Sequence, residues 1–505
     1  MLSKSRTENV KRNVLFGYLD TILVSFFQII CRTVFVYTIG TSYLGVSGLF
    51  SNILGILSFT ELGLGPSIVF ALYKPIAEND RNKVKSLLLL YKKAYRMIAI
   101  IITILGLLIL PILDKIVNTE IPIEQIRLFY IIHLINTISS YFVTYKTSYV
   151  SAIQKEYIVS NLNAIGEIII SITQIIILLL GGNYLNFLLA ALVLGLIQKL
   201  VISIYLNIKY PIVNEKNVIP LNKEAKRSIW KNMKALIVHK IGEVSVYQTD
   251  NIIVSTFIST ATVGLLSNYN SLINMVNMIT NKLFSSFTSS IGNLIATESI
   301  EKQKQIFDAY DLLGFWIYGF VLIGFVTLSQ ALISLWLGSE LLIDSLSLLL
   351  LLVSQYFAGI TFIPYNFKIA AGKFNEDKWV AFAQAFTNIV ISIAAIKSIG
   401  LPGVFIGTIL SRLIVVIVRP YIVYLHIFKS SPKEYYVRLI KRTLLAFGLC
   451  IGMSWIRMII MPKVTFSRFV ILLLLTCLIP NCVFFLIYRN TTEFEDVVSR
   501  LGRKK

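Results

Sequence analysis

Long apolar runs, separated by short polar stretches, recur from one end of the chain to the other. Fourteen are legible, at approximately 14–38, 43–73, 95–113, 126–150, 158–181, 184–206, 236–258, 262–296, 308–337, 345–369, 379–399, 401–428, 443–461 and 467–488. Each approaches or exceeds the ~20 residues with which a helix crosses about 30 Å of hydrocarbon. The pattern predicts an all-α polytopic membrane protein. An even number of spans puts both termini on one side. Six runs precede a Lys-rich stretch at 207–235, six follow it before a basic stretch at 429–442, and two close the chain. The expected organisation is a six-helix lobe over 1–208, a cytoplasmic linker over 209–235, a second six-helix lobe over 236–428, and two extra helices with a basic cytoplasmic tail over 429–505.

The two halves carry matching words. GLFSN at 48–52 and GLLSN at 264–268 lie 216 residues apart (264 minus 48), each near the start of the second run of its half. They follow short loops, IGTSYLGVSG and ISTATVG. Further on, PIAENDRNKVKSLL (75–88) lies over LIATESIEKQKQIF (294–307), with Lys83 and Lys85 matching Lys302 and Lys304 at an offset of 219. A three-residue shift is therefore expected inside that run. Six spans per half give both halves one orientation, a parallel pseudo-two-fold repeat about the membrane normal. That layout suits a transporter with a site between two lobes and alternating access. Gly63, Gly65 and Pro66 interrupt run 2 and Pro364 interrupts run 10, as static kinks or as bends that move.

Composition agrees with the pattern. Hydrophobic residues make up 56% of the chain and charged ones 14%, with a mean hydropathy of +0.75; soluble domains carry roughly 25% charged residues. The formal charge of +21 would suggest nucleic acid in a soluble protein. Here the cations sort by loop. Lys4, Arg12, Arg81, Lys85, Lys92, Arg96, Lys209, Lys226, Arg438 and Arg442 are among those on the side of the termini, against a handful such as Lys115 and Lys463 opposite. The positive-inside rule makes the termini cytoplasmic, and the excess becomes a topology signal and an attraction to anionic lipid, with no nucleic-acid role. The first run is too long for a signal-peptide core and is expected to stay as a membrane helix. Cys31, Cys450, Cys477 and Cys482 all fall in apolar runs, so neither a disulfide framework nor a metal site is indicated.

Ionisable groups inside a span cost about 2.5–3.5 kcal/mol each, so those present need a reason. Asp20, Lys199 and Arg419 lie near span ends, where snorkelling suffices. Run 7 places Lys240, Glu243, Tyr247, Asp250 and Val254 on one helical stripe, with Lys240 and Glu243 spaced to pair. Run 8 presents Ser267, Asn270, Asn274, Asn277, Asn281, Ser285 and Thr288 on one face, with Lys282 beside it. Interhelical hydrogen bonding accounts for a few such residues. Seven fit a hydrated wall whose mixed donors and acceptors suit sugar hydroxyls. Run 2 repeats the arrangement more sparsely through Ser47, Ser51, Ser58, Glu61 and Gly65, and run 1 aligns Thr21, Ser25, Gln28 and Arg32. At an offset of 216, Ser51 pairs with Ser267 and Glu61 with Asn277. Runs 1, 2, 7 and 8 are expected to line the transport path.

FTELGLGPSIVFALYKPIAENDRNKVKSLLLLYKKAYRMI (59–98) resembles the second-to-third-helix region of Wzx-type oligosaccharide flippases. These form the polysaccharide-transport branch of the multidrug/oligosaccharidyl-lipid/polysaccharide exporter (MOP) superfamily. The ELGLG turn, the YKPIAE exit and the YKKAYR entry carry the resemblance most specifically, and length and span count extend it loosely over the chain. It implies a MATE-like fold in the bacterial cytoplasmic membrane. It also implies outward flipping of undecaprenyl-diphosphate-linked repeat units for capsule or exopolysaccharide, alongside a polysaccharide polymerase and chain-length machinery. Arg32, Lys240 and Lys282 would then meet the diphosphate, and Gln28, Ser51, Ser58, Tyr247, Asn270, Asn274, Asn277 and Asn281 the sugars. Glu61, Glu243 and Asp250 depart from a purely cationic cavity, either reducing its charge or coupling transport to a sodium or proton gradient. No bound cofactor or metal is implied. Other readings are a flippase for a different lipid-linked cell-wall precursor, a drug/cation antiporter of the same superfamily, and a polysaccharide polymerase. An enzyme needs catalytic charge in a substantial outer loop, and the longest here, LDKIVNTEIPIEQ (113–125), has no acid pair or His cluster.

Overall fold

A computed structural model describes residues 6–58, 64–215, 248–373 and 376–502. Among the described residues every regular element is helical. Eleven helices among the described residues are long and apolar enough to cross a membrane, and the chain is a multi-pass membrane protein. It divides into two compact units, Met1–Gly264 and Leu265–Lys505.

The first unit holds α1 (Arg6–Thr38), α2 (Thr41–Leu57), α3 (Leu64–Ala77), α4 (Arg81–Ile109), a short α5 (Leu113–Ile116), α6 (Ile123–Ala152), α7 (Glu156–Leu179), α8 (Tyr184–Lys209) and a helical stretch over 248–257, α9. Its core gathers around the Tyr184 ring, which has Phe35 of α1, Tyr43 of α2 and Phe129 of α6 at centroid distances of 5.9, 4.8 and 4.7 Å. Such mostly edge-on contacts add about 0.5–1.5 kcal/mol each to plain area burial. The described residues 248–264 group with this unit. The reason is local: Ser255 Oγ donates to the Ile116 carbonyl at 2.8 Å, and the Thr260 amide donates to the Asn118 carbonyl at 2.8 Å.

The boundary between the units falls within α10 (Thr260–Thr297). The second unit continues with α11 (Ile300–Trp336), α12 (Ser345–Ile360), α13 (Phe362–Ala370), α14 (Lys378–Ile399), α15 (Leu401–His426), α16 (Lys433–Ile460), α17 (Phe466–Tyr488) and α18 (Thr492–Gly502). Phe307 of α11 is its aromatic hub, 5.0 Å from Phe367, 5.8 Å from Tyr424 and 5.9 Å from Tyr435.

Run 10 is broken as expected: α12 stops at Ile360 and α13 restarts at Phe362. Pro364 supplies the cause, because its ring would strike the carbonyl four residues back, at Ile360. Run 2 is likewise two helices, α2 and α3, with Pro66 in the first turn of α3; residues 59–63 lie outside the described residues. Run 3 begins earlier than its apolar stretch, because the Lys-rich segment from Arg81 is already helical, burying Val84, Leu87, Leu88 and Tyr91 on one side. The tail contains more than basic residues. Its α18 packs Phe494 on Trp316 with centroids 5.9 Å apart, and Asp496 Oδ2 accepts a 2.7 Å bond from Gln305 of α11.

The repeat is present, in a different register from the one the pentapeptides suggest. Helices α2 and α10 start at Thr41 and Thr260, and α4 and α11 at Arg81 and Ile300; both differences (260 minus 41, 300 minus 81) are 219. The caps agree: Asp80 accepts from the Lys83 amide at 2.9 Å, and Ser299, 219 residues on, accepts from the Lys302 amide at 3.3 Å. The turns agree as well, since Gly181 (φ +82°) before α8 and Gly400 (φ +67°) before α15 are 219 apart (400 minus 181).

The offset of 219 pairs Gly45 with Gly264, and these two glycines face each other. A Cβ on Gly45 would overlap the Thr260 carbonyl oxygen, and one on Gly264 would overlap the Thr41 carbonyl oxygen. Thr41 and Thr260 are themselves a 219 pair, so the crossing is symmetric, glycine against threonine carbonyl on both sides. Only residues without a Cβ let two backbones approach this closely. No three-residue shift exists inside the run. Ser51 therefore corresponds to Asn270 and Ser58 to Asn277, replacing the pairings of Ser51 with Ser267 and of Glu61 with Asn277.

Candidate functional site

Polar groups in the first unit sit where α2 meets α6 and α9. Ser58 Oγ donates to the Leu54 carbonyl at 2.9 Å and accepts from the Tyr141 hydroxyl at 3.2 Å. The Gln248 carboxamide lies over Gly55, where a Cβ would meet it at 3.1 Å. Ser51 is exposed and donates back to the Ser47 carbonyl at 2.9 Å. On α1, Gln28 is exposed and Arg32 half-buried. Asp250 is half-buried at the start of α9. Glu61, Lys240, Glu243 and Tyr247 lie outside the described residues, as does the side chain of Lys282.

In the second unit α10 has two contrasting faces. Leu266, Tyr269, Ile273 and Phe284 are buried, whereas Asn274 and Asn281 are exposed and Asn270 and Asn277 half-buried. The asparagine that packs away completely is Asn268, which is off the predicted stripe. Asn277 borders a small cleft together with Gln355, Tyr318 and Tyr356 over an apolar floor of Ile273 and Phe325. Tyr356 is held there by a 3.1 Å bond between its hydroxyl and Thr443 Oγ1. A carboxamide pair and two phenols around apolar side chains can hydrogen-bond hydroxyls while stacking on a ring face. Gln355, Tyr318 and Tyr356 have no polar periodicity in the sequence, since each is embedded in an apolar run.

Several charges expected to snorkel are instead held within the bundle. Lys199 Nζ donates to Asn136 Oδ1 at 2.7 Å, to the Asn136 carbonyl at 3.1 Å and to Ser139 Oγ at 2.9 Å, which satisfies all three ammonium hydrogens. Asp20 accepts from Ser160 Oγ at 2.8 Å. Arg419 stacks over the Tyr365 ring at 4.5 Å.

Arg438 and Arg442, counted above as loop charges, are also internal. Arg438 Nη2 donates to Asp308 Oδ1 at 2.5 Å and its Nη1 to Glu493 at 3.4 Å. Arg442 Nη1 donates to Asp311 Oδ2 at 2.6 Å, and Tyr435 adds a 3.5 Å bond to Asp311 Oδ1. Two acids on α11 at i, i+3 meet two arginines on α16 at i, i+4, and Glu493 ties in α18. The network gives each arginine a carboxylate partner and fastens α16 and α18 to α11, so it offers a substrate little free positive charge. The matched spacings were the available signal, but they lie about 130 residues apart in the chain.

The sequence matches no family description and no curated protein. Solved structures do resemble it. A lipid II flippase, MurJ, in an inward closed conformation aligns with a TM-score of 0.64 at 17% identity, over 94% of this chain and 99% of that one. The MATE transporter VcmN of Vibrio cholerae gives 0.58 at 14% identity, over 83% and 98%. An inward-facing multidrug-resistance MATE family transporter of the MOP superfamily gives 0.57 at 13% identity, over 80% and 96%. Two runs of helices with equivalent caps, turns and glycine crossings, followed by two further spans, give this chain the fold of the MOP-superfamily transporters.

Proposed function

We propose that the protein is a flippase that moves undecaprenyl-diphosphate-linked oligosaccharide repeat units from the cytoplasmic to the outer leaflet of the bacterial cell membrane, for capsule or exopolysaccharide assembly. The carrying observation is the extent of the likeness. The flippase aligns over 94% of the chain and the MATE transporters over 80–83%. The difference is about the size of α16 and α17 together, residues 433–488. The MATE transporters' own chains are covered at 96–98%, so this chain is longer than they are by about that much, and it matches the lipid II flippase nearly end to end.

The chemistry of the polar helices supports the reading. A lipid-linked oligosaccharide carries many hydroxyls and a diphosphate, each costly to move through hydrocarbon without partners. The asparagines of α10 offer both donors and acceptors on a face that the second unit leaves unburied. Arg32, with Lys240 and Lys282, would supply the positive charge for the diphosphate. Glu61, Glu243 and Asp250 are the groups through which a sodium or proton gradient would act. The termini would be cytoplasmic, and a polymerase would consume the product on the outer leaflet.

Substitution of Arg32, Lys240 and Lys282 by Gln, singly and together, tests the substrate class. Each is expected to lower polymer export roughly tenfold, the equivalent of about 1.4 kcal/mol of charge-assisted binding, with the protein still present in the membrane. Undiminished export from the triple variant contradicts the diphosphate assignment.

A further inference from the structure

The basic face of α4 is neutralised at one end and not at the other. Arg81 and Lys85, one turn apart, share the carboxylate of Glu215: Arg81 Nη2 lies 3.5 Å from Oε1, and Lys85 pairs with Oε2. Two turns further along are Lys92 and Arg96, again one turn apart. Their neighbour across the helix interface is the ring of Tyr145 on α6, only 4% exposed, with Lys92 Nζ 5.8 Å from its centroid. Lys146 Nζ stands 5.7 Å from the same centroid. Arg96 is exposed on the same face of the helix, one turn beyond Lys92.

Lys146 is 5% exposed. Its ammonium donates to Ser203 Oγ at 2.6 Å and to Asn207 Oδ1 at 2.8 Å, both on α8. Two neutral oxygens orient this cation and leave one of its three hydrogens unassigned. Among the described residues no carboxylate pairs with Lys92, Arg96 or Lys146. Lys92 and Lys146 share one buried ring with the exposed Arg96 one turn beyond Lys92; like charges repel one another, and the buried Lys146 pays for desolvation, unless an anion completes the set.

We infer that Lys92, Arg96 and Lys146 form a phosphate site at the junction of α4, α6 and α8. Its occupant is the phosphate of an anionic lipid headgroup or a free phosphate ion. Arg96 supplies the planar fork that matches two phosphate oxygens, and the lysines supply point charges on either side. The site lies among residues distinct from Arg32, Lys240 and Lys282, and it does not depend on what the protein transports.

The test uses the purified full chain, delipidated in a neutral detergent. Its melting midpoint is followed as phosphatidylglycerol, phosphatidylcholine or inorganic phosphate is added. Phosphatidylglycerol is expected to raise the midpoint where phosphatidylcholine does not, and K92Q/R96Q is expected to lose most of that rise. Neither residue is fully buried, so this variant should fold. K83Q/K93Q removes two exposed charges from the same helix and should keep the rise. A rise with inorganic phosphate that K92Q/R96Q also loses supports the site with a free ion as its occupant. No rise with either ligand, a rise that K92Q/R96Q keeps, or one that K83Q/K93Q loses equally, overturns the proposal.

Discussion

Gly45→Val and Gly264→Val are each expected to remove most of the folded protein from the membrane. A Cβ at either position falls on a threonine carbonyl oxygen, and backbone on both sides of the crossing leaves no flexible side chain to yield. Even alanine should cost about 1–3 kcal/mol as an overpacked contact, read as a lowered melting midpoint in detergent. The two alanine variants relieve one crossing, so the double variant should cost less than their sum. Gly48→Ala is the informative control. A Cβ there meets only Val263 Cγ1 at 3.7 Å, an ordinary contact, and alanine favours the helix. If Gly48→Ala is as damaging as Gly45→Ala, the 219-residue register is wrong.

The second large effect is expected at the junction of α11 and α16. Arg442→Met strips Asp311 of its charge partner; the two side chains are 5% and 11% exposed. An orphaned buried charge costs about 3–5 kcal/mol, whereas replacing both members with apolar residues is often close to neutral. Arg442→Met alone should therefore melt well below the parent, and Asp311→Leu/Arg442→Met should recover most of the loss. A double variant no better than the single one would mean that the pair acts through something besides its mutual charge.

The spans themselves were legible from apolar length. Runs 158–181 and 467–488 became Glu156–Leu179 and Phe466–Tyr488, because hydrocarbon thickness constrains length directly. Starts were missed where charge and helix coexist, as from Arg81, since periodic burial rather than apolar run length holds that segment. The register of the repeat was misread for a different reason. Four matching letters out of five outweighed the single small residue that the helix crossing requires, and the signal for closeness was Gly45 and Gly264 after the equivalent Thr41 and Thr260.

A three-residue slip is nearly one helical turn, so polar stripes drawn in the wrong register still fell on usable faces. That is why Asn277 emerged as a polar-face residue although its counterpart is Ser58 and not Glu61. Gln355, Tyr318 and Tyr356 were invisible because polar residues inside apolar runs acquire a shared surface only when α10, α11 and α12 pack. Asp308, Asp311, Arg438 and Arg442 were obscured by the same charge count that fixed topology. A cation near a helix end satisfies the positive-inside rule whether it faces water or an acid.

The flippase reading is tested most directly by depleting the protein and asking on which leaflet the lipid-linked repeat unit accumulates. Added to intact spheroplasts, a membrane-impermeant reagent that labels or cleaves the sugar reaches only units on the outer leaflet. The account predicts that repeat units pile up on the cytoplasmic leaflet, protected from the reagent, and become accessible when expression is restored. Unpolymerised units accumulating accessibly on the outer leaflet would contradict it.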